Sequence, residues 1–339
     1  MRYRKFGNTE LLVSEIGFGA WAIGGNAMIG SVAIGWGDAN DQESKKAIHR
    51  SLDLGINFFD TADIYGFGHS EKLLGGLLGN RNDVIIASKV GNVARNGKFT
   101  TDYSGQHIIA GCEASLKRLK REAIDYYQLH TARVQHLEQE ECIETMKLLQ
   151  QQGKIRYWGL SLNTFDPAPE AEFLMKEFAG NGFQLVLNIL NQKALPVLKE
   201  AAVKGYGIIA RMPLQFGLLT GKFDLFFGAL AEKDKDFSFP ENDHRKNRLT
   251  KEVIQKANEA LHPAWQLCQK YAITKTQLAL SYILSYPEVS TVIPGIRTPE
   301  QAVYNTTGMV KLEDPDIAFI EQLGSSDLIP VMKLIQDQG

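Results

Sequence analysis

The sequence predicts a single (β/α)8 barrel of the TIM type, with an N-terminal β-hairpin and long loops at its C-terminal face. Short apolar runs alternate with amphipathic segments eight times, no dinucleotide-binding glycine fingerprint is present, and two long loops follow strand candidates. We expect one domain over residues 1–339 that includes a loop insertion at 222–262 and a C-terminal extension from about 310 to 339.

The eight strand candidates are short apolar runs that end in polar residues or glycine. Several of them lack strict alternation, which is typical of parallel strands that are buried on both faces. They lie at 15–18, 57–61, 84–89, 123–129, 157–161, 183–188, 207–211 and 291–294.

Helix candidates occupy the stretches between these runs. In one of them the apolar residues Ile108, Cys112 and Leu119 fall on a single helical face. The opening segment RYRKFGNTELLVSEI alternates around a Gly-Asn turn, which predicts a hairpin that caps the bottom of the barrel. The helix candidates lie at 41–54, 70–78, 105–119, 139–152, 169–178, 195–204, 264–271, 275–285 and 299–306.

An open, doubly wound sheet is the alternative architecture for this alternation. That fold carries the fingerprint G-x-G-x-x-G at its first strand-to-helix turn. Here the turn IGFGAWAIGG supplies Gly17 and Gly19, but alanine stands at position 22, and the stretch GFGHSE fails at Glu71. The missing fingerprint favours the barrel.

Composition and charge exclude several classes of function. Hydrophobic residues make up 44% and charged residues 22% of the 339 residues, which is typical of a globular protein. A net charge of −2 gives no general attraction to nucleic acid or to an anionic membrane. The N-terminus holds no apolar signal segment, and Cys112, Cys142 and Cys268 show no metal-ligand spacing. We therefore expect a cytoplasmic protein without a metal, a nucleic-acid partner or a membrane anchor.

Polar side chains stand at the ends of three neighbouring strand candidates. Asp60 ends the second strand, Lys89 ends the third, and His130 follows the fourth. Tyr65 lies on the glycine-rich turn beyond Asp60, in FFDTADIYGFGHSE. Each residue alone has an ordinary structural explanation, such as capping, solvation or packing. In a barrel, however, all four meet at the face where active sites form, and their charges are complementary.

These four residues fit proton donation to a carbonyl oxygen. A tyrosine hydroxyl has an ordinary pKa of about 10 and is a poor acid at neutral pH, and a nearby lysine ammonium lowers that pKa. A buried lysine needs a carboxylate partner to stay charged, and Asp60 can provide it. An imidazole such as His130 can orient the carbonyl. Reduction of a carbonyl needs such a proton donor, since a hydride goes to carbon and a proton to oxygen.

The chain resembles the aldo-keto reductases, which are NAD(P)H-dependent (β/α)8 barrels, along nearly its whole length. Among the stretches that carry the resemblance, D-T-A-x-x-Y-G after a strand is the most specific. The resemblance implies that Asp60, Tyr65, Lys89 and His130 form the catalytic tetrad, with Tyr65 as general acid. The matching stretches are FGNTELLVSEIGFGAW, GINFFDTADIYGFGHSEKLLGGLL, ASKVG, YYQLH, GKIRYWGLS, GLLTGKF and VIPGIRTPEQ.

The resemblance also implies an extended nicotinamide dinucleotide across the barrel mouth, which accounts for the missing fingerprint. It places Ala20 and Trp21 at the nicotinamide, with Ser161 and Gln184 at its carboxamide. Asp60 also belongs to the cofactor-binding residues, and Arg211 could stack on the nicotinamide ring or hold the pyrophosphate. The pyrophosphate and adenosine ends are assigned to Gly217, Leu219, Gly221, Lys222, Gly295, Arg297, Gln301 and Asn305.

Arg297 favours NADPH over NADH, because a guanidinium fork is suited to a ribose 2′-phosphate. The chain departs from the commonest pattern at three points. Ser161 is followed by Leu162 rather than asparagine, Arg211 replaces an aromatic residue that stacks on the nicotinamide in many members, and TARVQ follows His130. The last segment shapes the substrate pocket, so the substrate class stays open among aldehydes, ketones and sugar-like carbonyls.

Two other functions compete with the NADPH-dependent reductase acting on a small-molecule carbonyl. A non-catalytic, nucleotide-binding regulatory subunit with the same fold is one, and the complete tetrad argues against it. A Schiff-base lyase that uses Lys89 is the other, and pairing with Asp60 would keep that amine charged and non-nucleophilic.

The candidates for the substrate pocket are apolar or aromatic residues: Trp21, Trp36, Ile64 and Phe216.

The insertion at 222–262 is rich in charge and poor in apolar residues. Such a segment does not offset its ordering entropy by burial alone. Phe223 and the apolar stretch 225–230 could dock over a bound dinucleotide, so we expect a lid that becomes ordered with the cofactor. A surface excursion that is indifferent to ligand is the alternative.

Overall fold

The computed structural model describes residues 1–224 and 238–338. Eight parallel strands form one sheet, and three two-stranded antiparallel hairpins lie outside it in this part of the chain. The strands are β1 (Tyr3–Lys5), β2 (Leu12–Ser14), β3 (Phe18–Gly19), β4 (Met28–Ile29), β5 (Val32–Ala33), β6 (Phe58–Asp60), β7 (Ile85–Val90), β8 (Asn92–Arg95), β9 (Lys98–Thr101), β10 (Ile124–His130), β11 (Ile155–Ser161), β12 (Gly182–Val186), β13 (Gly207–Arg211) and β14 (Thr291–Ile293).

Helices connect successive strands of the large sheet. Their N-termini carry polar caps where the sequence provides them, as with Asn40, whose side chain accepts from the backbone N–H groups of Gln42 and Glu43. The helices are α1 (Asp41–Asp53), α2 (His69–Leu78), α3 (Gly105–Leu119), α4 (Val134–Leu137), α5 (Glu141–Gln151), α6 (Ala168–Lys176), α7 (Leu195–Val203), α8 (Lys251–Tyr271), α9 (Lys275–Leu284), α10 (Pro299–Thr306), α11 (Asp314–Ser325) and α12 (Ile329–Asp337).

The predicted barrel is confirmed. The strand order is β3-β6-β7-β10-β11-β12-β13-β14, and parallel bridges from Ile16 to Val292 and from Gly19 to Gly295 join the first strand to the last. A Cβ atom on Gly19 would lie 2.8 Å from the Pro294 carbonyl oxygen, so this closure requires glycine. That glycine therefore allows the barrel to close rather than holding a phosphate.

The N-terminal hairpin of β1 and β2 is also confirmed, and it closes the bottom of the barrel. Phe6, which lies in its turn, is fully buried, and its ring centroid is 4.8 Å from that of Tyr126. A side chain on Gly207 would meet the Phe6 ring at 2.6 Å, so the strand approaches the plug closely. With this end blocked, the opposite end remains as the mouth of the barrel.

Helix α8 corrects two predictions. The sequence predicts a helix over 264–271 and a loop insertion that extends to residue 262. The helix instead begins at Lys251 and continues through Pro263. Burial of Val253, Ile254 and Leu261 against the core outweighs the cost of the proline.

One part of the expected lid at 222–262, residues 225–237, lies outside the described residues. The apolar stretch 225–230 lies outside the described residues, whereas Phe223 is buried in the core. The glycine-rich stretch after β3 was expected to be a loop, and it contains the β4–β5 hairpin. No helix among residues 1–224 and 238–338 is long and apolar enough to cross a membrane.

Candidate active site

A cleft of about 1020 Å³ opens at the C-terminal ends of the barrel strands. Because β6, β7 and β10 are adjacent and parallel, their last residues meet at the same rim of the barrel. Asp60 and Lys89 lie near the ends of β6 and β7, and His130 ends β10. Asp60, Tyr65 and His130 line the cleft, and Lys89 lies fully buried behind them.

The Lys89 ammonium contacts both the Asp60 carboxylate and the Tyr65 hydroxyl. Its Nζ donates to Asp60 Oδ2 at 2.6 Å and to the Thr61 carbonyl at 2.8 Å. The same nitrogen lies 3.3 Å from the Tyr65 hydroxyl oxygen. The Tyr65 and His130 rings meet edge to face, with their centroids 6.1 Å apart. The structure thus brings all four predicted tetrad residues together.

The turn that carries Tyr65 is held against the first loop of the barrel. Gly66 has a φ of +59°, and a Cβ atom there would lie 2.1 Å from the Gly24 carbonyl oxygen. Only glycine fits this approach, so the sequence Tyr-Gly places the tyrosine over the strand ends.

Two amide side chains hold the Asp60 carboxylate. Gln184 Nε2 donates to Asp60 Oδ1 at 2.7 Å, and Gln128 Nε2 donates to the same oxygen at 3.3 Å. The resemblance assigned Gln184 to the nicotinamide carboxamide, but its amide nitrogen is engaged here with the carboxylate. Gln128 was missed by sequence reasoning, although its place two residues before His130 in a parallel strand was a usable signal.

Burial and the neighbouring charges act in opposite directions on the pKa values of Tyr65 and Lys89. Burial raises the pKa of Tyr65 above the ordinary value, and the opposing effect of the Lys89 ammonium is smaller. The Lys89 ammonium thus lowers the pKa of Tyr65, as expected, but burial has the larger effect and the net shift of that pKa is upward. For Lys89, burial alone lowers the pKa, yet Asp60 and Tyr65 outweigh it, so that its pKa lies above normal.

His130 is neutral in this setting. Burial, together with the nearby charges of Lys89 and Arg211, lowers the pKa of His130 well below its ordinary value. Its Nδ1 atom is buried and has no hydrogen-bond partner among the described residues.

Most of the predicted cofactor residues line the same cleft. Four are not among its lining residues: Ala20, Ser161 and Leu219, which are buried, and Gly221. Gly221 instead ends a 3₁₀ turn with a φ of +79°. Those that line the cleft are Trp21, Asp60, Gln184, Arg211, Gly217, Lys222, Gly295, Arg297, Gln301 and Asn305.

One part of the cleft wall is strongly basic. Lys222, Arg245 and Arg297 lie close enough that their charges affect one another's ionisation: the pKa values of Lys222 and Arg297 are lowered by burial and then by Arg245. Asp243 contacts Arg245 at 2.5 Å. Arg297 donates from its two terminal nitrogens to the carbonyls of Trp36 at 3.3 Å and Asp38 at 2.5 Å, so its fork faces a loop.

An aromatic cluster formed by Trp21, Trp36, Phe216 and His244 lies beside the tetrad. The His244 ring stacks on Trp21 at 4.4 Å between centroids and meets Trp36 edge-on at 4.6 Å. Trp21 in turn stacks on Tyr65 at 5.8 Å. Burial lowers the pKa of His244 to about 3, so its imidazole is neutral.

Sequence reasoning missed His244, Arg245 and Arg248, because they lie in the charged stretch ENDHRKNR of the insertion at 222–262, where no pattern singles out individual residues. Asp243 and Trp36 form a β-bridge that brings this stretch against the cleft. The four predicted pocket residues, Trp21, Trp36, Ile64 and Phe216, all line it.

Several features of the cleft fit an anionic ligand that also carries hydrogen-bonding groups. The basic wall is suited to phosphates. Near the tetrad, His130 Nδ1, Arg211 Nε and Asn92 Oδ1 are buried without a hydrogen-bond partner among the described residues. Buried polar atoms are normally paired, so these three indicate groups that a ligand completes.

Comparison with known proteins agrees with this geometry. A model of the aldo/keto reductase family matches residues 15–325. The uncharacterized oxidoreductase YqkF of Bacillus subtilis (strain 168) is 30% identical over 309 residues, covering 89% of each chain. A probable voltage-gated potassium channel subunit beta of Arabidopsis thaliana is 29% identical over 322 residues, covering 90% of each chain. The structure of the glycerol dehydrogenase AKR11B4 from Gluconobacter oxydans is 28% identical with a TM-score of 0.76, covering 95% of this chain and 94% of that one.

Proposed function

This chain belongs to the aldo/keto reductase family, whose members use nicotinamide cofactors, and we propose that it reduces an aldehyde, ketone or sugar-like carbonyl to an alcohol with NADPH. One observation carries the proposal: the buried Lys89 ammonium contacts both Asp60, at 2.6 Å, and the Tyr65 hydroxyl, at 3.3 Å. This is a proton donor with a fixed cation beside it, at the mouth of a barrel. When bound, the reduced nicotinamide supplies the hydride.

Tyr65 gives its proton to the carbonyl oxygen as the carbonyl carbon receives the hydride, which leaves an alcohol and a phenolate. The raised pKa of Tyr65 keeps the hydroxyl protonated at neutral pH, ready to donate. The Lys89 cation stabilises the phenolate that forms, so it acts mainly after the proton has left. Asp60 in turn keeps Lys89 charged at a fully buried position.

His130 orients the carbonyl oxygen next to Tyr65. A neutral imidazole carries one N–H donor, and the lowered pKa of His130 keeps the ring in that form. A neutral ring also leaves Tyr65 as the group that releases a proton.

The chain holds the dinucleotide along the cleft. Lys222, Arg245 and Arg297 would take the phosphates, and Gln301 and Asn305 the adenosine side. Arg297 supports NADPH over NADH, since a 2′-phosphate adds charge where cations already gather. The neutral aromatic cluster then leaves an apolar wall for the substrate near Tyr65.

A regulatory subunit without catalysis is the second candidate, and the channel-subunit name of one relative favours it. The complete tetrad supports catalysis instead, because a purely structural role has no use for a proton donor next to a buried ion pair. The cytoplasmic location stays a prediction.

The test is turnover. The purified chain is mixed with NADPH and a panel of aldehydes, ketones and aldoses, and cofactor oxidation is followed by absorbance and matched to alcohol formed. We expect stoichiometric alcohol with at least one class of carbonyl. Tight cofactor binding with no alcohol from any class would support the regulatory subunit instead.

A further inference from the structure

We propose that Arg211 makes this protein bind the reduced form of its nicotinamide cofactor more tightly than the oxidised form. The inference rests on the proposed function, because it concerns the ring that gives the hydride. The two cofactor forms carry the same phosphates and differ in the ring, which is neutral when reduced and carries one positive charge when oxidised. A fixed cation beside the ring discriminates between them.

The side chain of Arg211 reaches across the barrel mouth. The residue ends β13, and its terminal nitrogen Nη2 donates to the Leu162 carbonyl at 3.0 Å and to Thr164 Oγ1 at 3.1 Å, beyond the end of β11. Strand β11 pairs with β10, and Ser161 lies opposite His130 in that pairing. The guanidinium therefore lies inside the mouth, near the catalytic histidine, and it lines the cleft.

The charge of Arg211 is left uncompensated by the groups around the reacting centre. Lys89 and Asp60 neutralise each other at 2.6 Å, and the His130 ring is neutral. Within residues 1–224 and 238–338, the guanidinium contacts neutral atoms: the two oxygens beyond β11 and the sulfur of Met212 at 3.2 Å. Its Nε is buried without a partner in that part of the chain. The centre thus carries a net positive charge.

A ring that gives hydride to a carbonyl held by Tyr65 must lie within a few ångströms of that carbonyl carbon. It therefore lies in the field of Arg211. Like charges in a partly buried site repel strongly enough to change an equilibrium by on the order of tenfold. This repulsion acts on the oxidised ring alone, because the reduced ring has no net charge.

Two consequences follow for a reductase. When both forms are present, the protein is loaded mainly with the reduced cofactor. After reduction of the substrate, the oxidised cofactor leaves faster than it otherwise would, so inhibition by that product is weak. An aromatic side chain at position 211 would stack on both forms and, through cation–π attraction, would favour the oxidised ring instead.

The experiment measures dissociation constants rather than turnover. Quenching of tryptophan fluorescence gives Kd for NADPH and for NADP⁺ with the wild type, Arg211→Met, Arg211→Lys and Arg297→Met. We expect Arg211→Met to lower the ratio of Kd for NADP⁺ to Kd for NADPH about tenfold, and Arg211→Lys to keep that ratio because it keeps the charge. Arg297→Met should weaken both forms by the same factor, since the 2′-phosphate is common to them.

The inference would be overturned if the ratio of Kd for NADP⁺ to Kd for NADPH were unchanged in a folded Arg211→Met variant. It would also be overturned if Arg211→Lys lowered that ratio as much as Arg211→Met does. Thermal melting checks the fold of each variant. If the methionine variant does not fold, Arg211→Gln replaces it, because an amide can still donate to the Leu162 carbonyl. Failure of the wild type to bind either cofactor would instead defeat the proposed function, so the two failures are distinguishable.

Discussion

Replacing Lys89 by methionine should destabilise the protein strongly, because it leaves the Asp60 carboxylate buried without its cation. Lys89 is 0% exposed and Asp60 2% exposed, so solvent screens neither charge. Breaking a buried ion pair from one side costs about 3–5 kcal/mol. The amides of Gln128 and Gln184 still donate to Asp60, which places the expected loss in free energy of unfolding near the lower end, at about 3 kcal/mol.

Urea denaturation at pH 7 measures this loss, with the slope m checked for constancy. Lys147→Met is the matched control: its Nζ lies 2.8 Å from Glu144, but that pair is on the surface and should contribute less than about 1 kcal/mol. The double variant Asp60→Asn with Lys89→Met removes both charges and should recover roughly 2 kcal/mol of the loss, because no buried charge is left unpaired.

In the wild type, the stabilising contribution of Lys89 should not change between pH 6 and pH 8. The folded pKa of Lys89 is raised, so its stabilising contribution is complete below the ordinary lysine pKa of about 10.4 and declines only as pH rises through the folded value. A Lys89→Met variant that loses no more stability than Lys147→Met, or a double variant that is no more stable than the single one, would refute a buried, mutually dependent ion pair.

Two further predictions concern the basic wall and the aromatic cluster. Arg297→Ala should weaken binding of NADPH by about 1.5–3 kcal/mol and of NADH by less, as measured by calorimetric titration; equal losses would show that Arg297 only fastens the loop at Trp36 and Asp38. Lowering the pH from 7 to 5 should cost the wild type about 2 kcal/mol through His244 alone, because the unfolded imidazole takes up a proton near its ordinary pKa of about 6.5 while burial holds the folded pKa at about 3. Urea titrations at both pH values should show a correspondingly smaller loss for His244→Gln, and an identical loss would mean that this ring is protonated in the folded protein.

The barrel and the positions of the tetrad residues could be predicted because short local stretches of the sequence indicate both. Each strand is a short apolar run, and its polar terminal residue marks the C-terminal rim. Asp60, Lys89 and His130 lie at the C-terminal ends of three consecutive strands of the sheet, so chain order alone brings them together. The contact between Lys89 and Tyr65 then depends only on the short turn that Gly66 permits.

The part of the site that His244 and Arg245 form could not be predicted, because tertiary contacts bring these residues there. His244 and Arg245 lie in a charged stretch with no apolar period, and the β-bridge between Asp243 and Trp36, together with packing on Trp21 and Trp36, brings them to the site. The predicted start of helix α8 was wrong for a related reason. Pro263 disfavours a helix locally, but burial of the helix face that includes Val253 stabilises the helix.

The side chain of Gln184 shows the limit of carrying roles over from relatives. Its position on β12 was predicted, and it does line the cleft. Its amide nitrogen, however, donates to Asp60 at 2.7 Å, a bond that no spacing in the sequence reveals. Pairwise contacts across the barrel interior depend on side-chain direction, which follows from the closed sheet and not from the linear order.

The role of Tyr65 as proton donor is tested most directly by single-turnover kinetics of Tyr65→Phe. NADPH-loaded protein is mixed with a reactive carbonyl, and cofactor oxidation is followed alongside the Kd for NADPH. Tyr157→Phe is the control, since that hydroxyl accepts from the Glu10 backbone N–H at the opposite end of the barrel. We predict that Tyr65→Phe slows hydride transfer by about 10²–10⁴-fold with the Kd for NADPH nearly unchanged, and that Tyr157→Phe transfers hydride at the wild-type rate. Hydride transfer by Tyr65→Phe within a few fold of the wild-type rate would contradict the assignment of Tyr65 as the general acid.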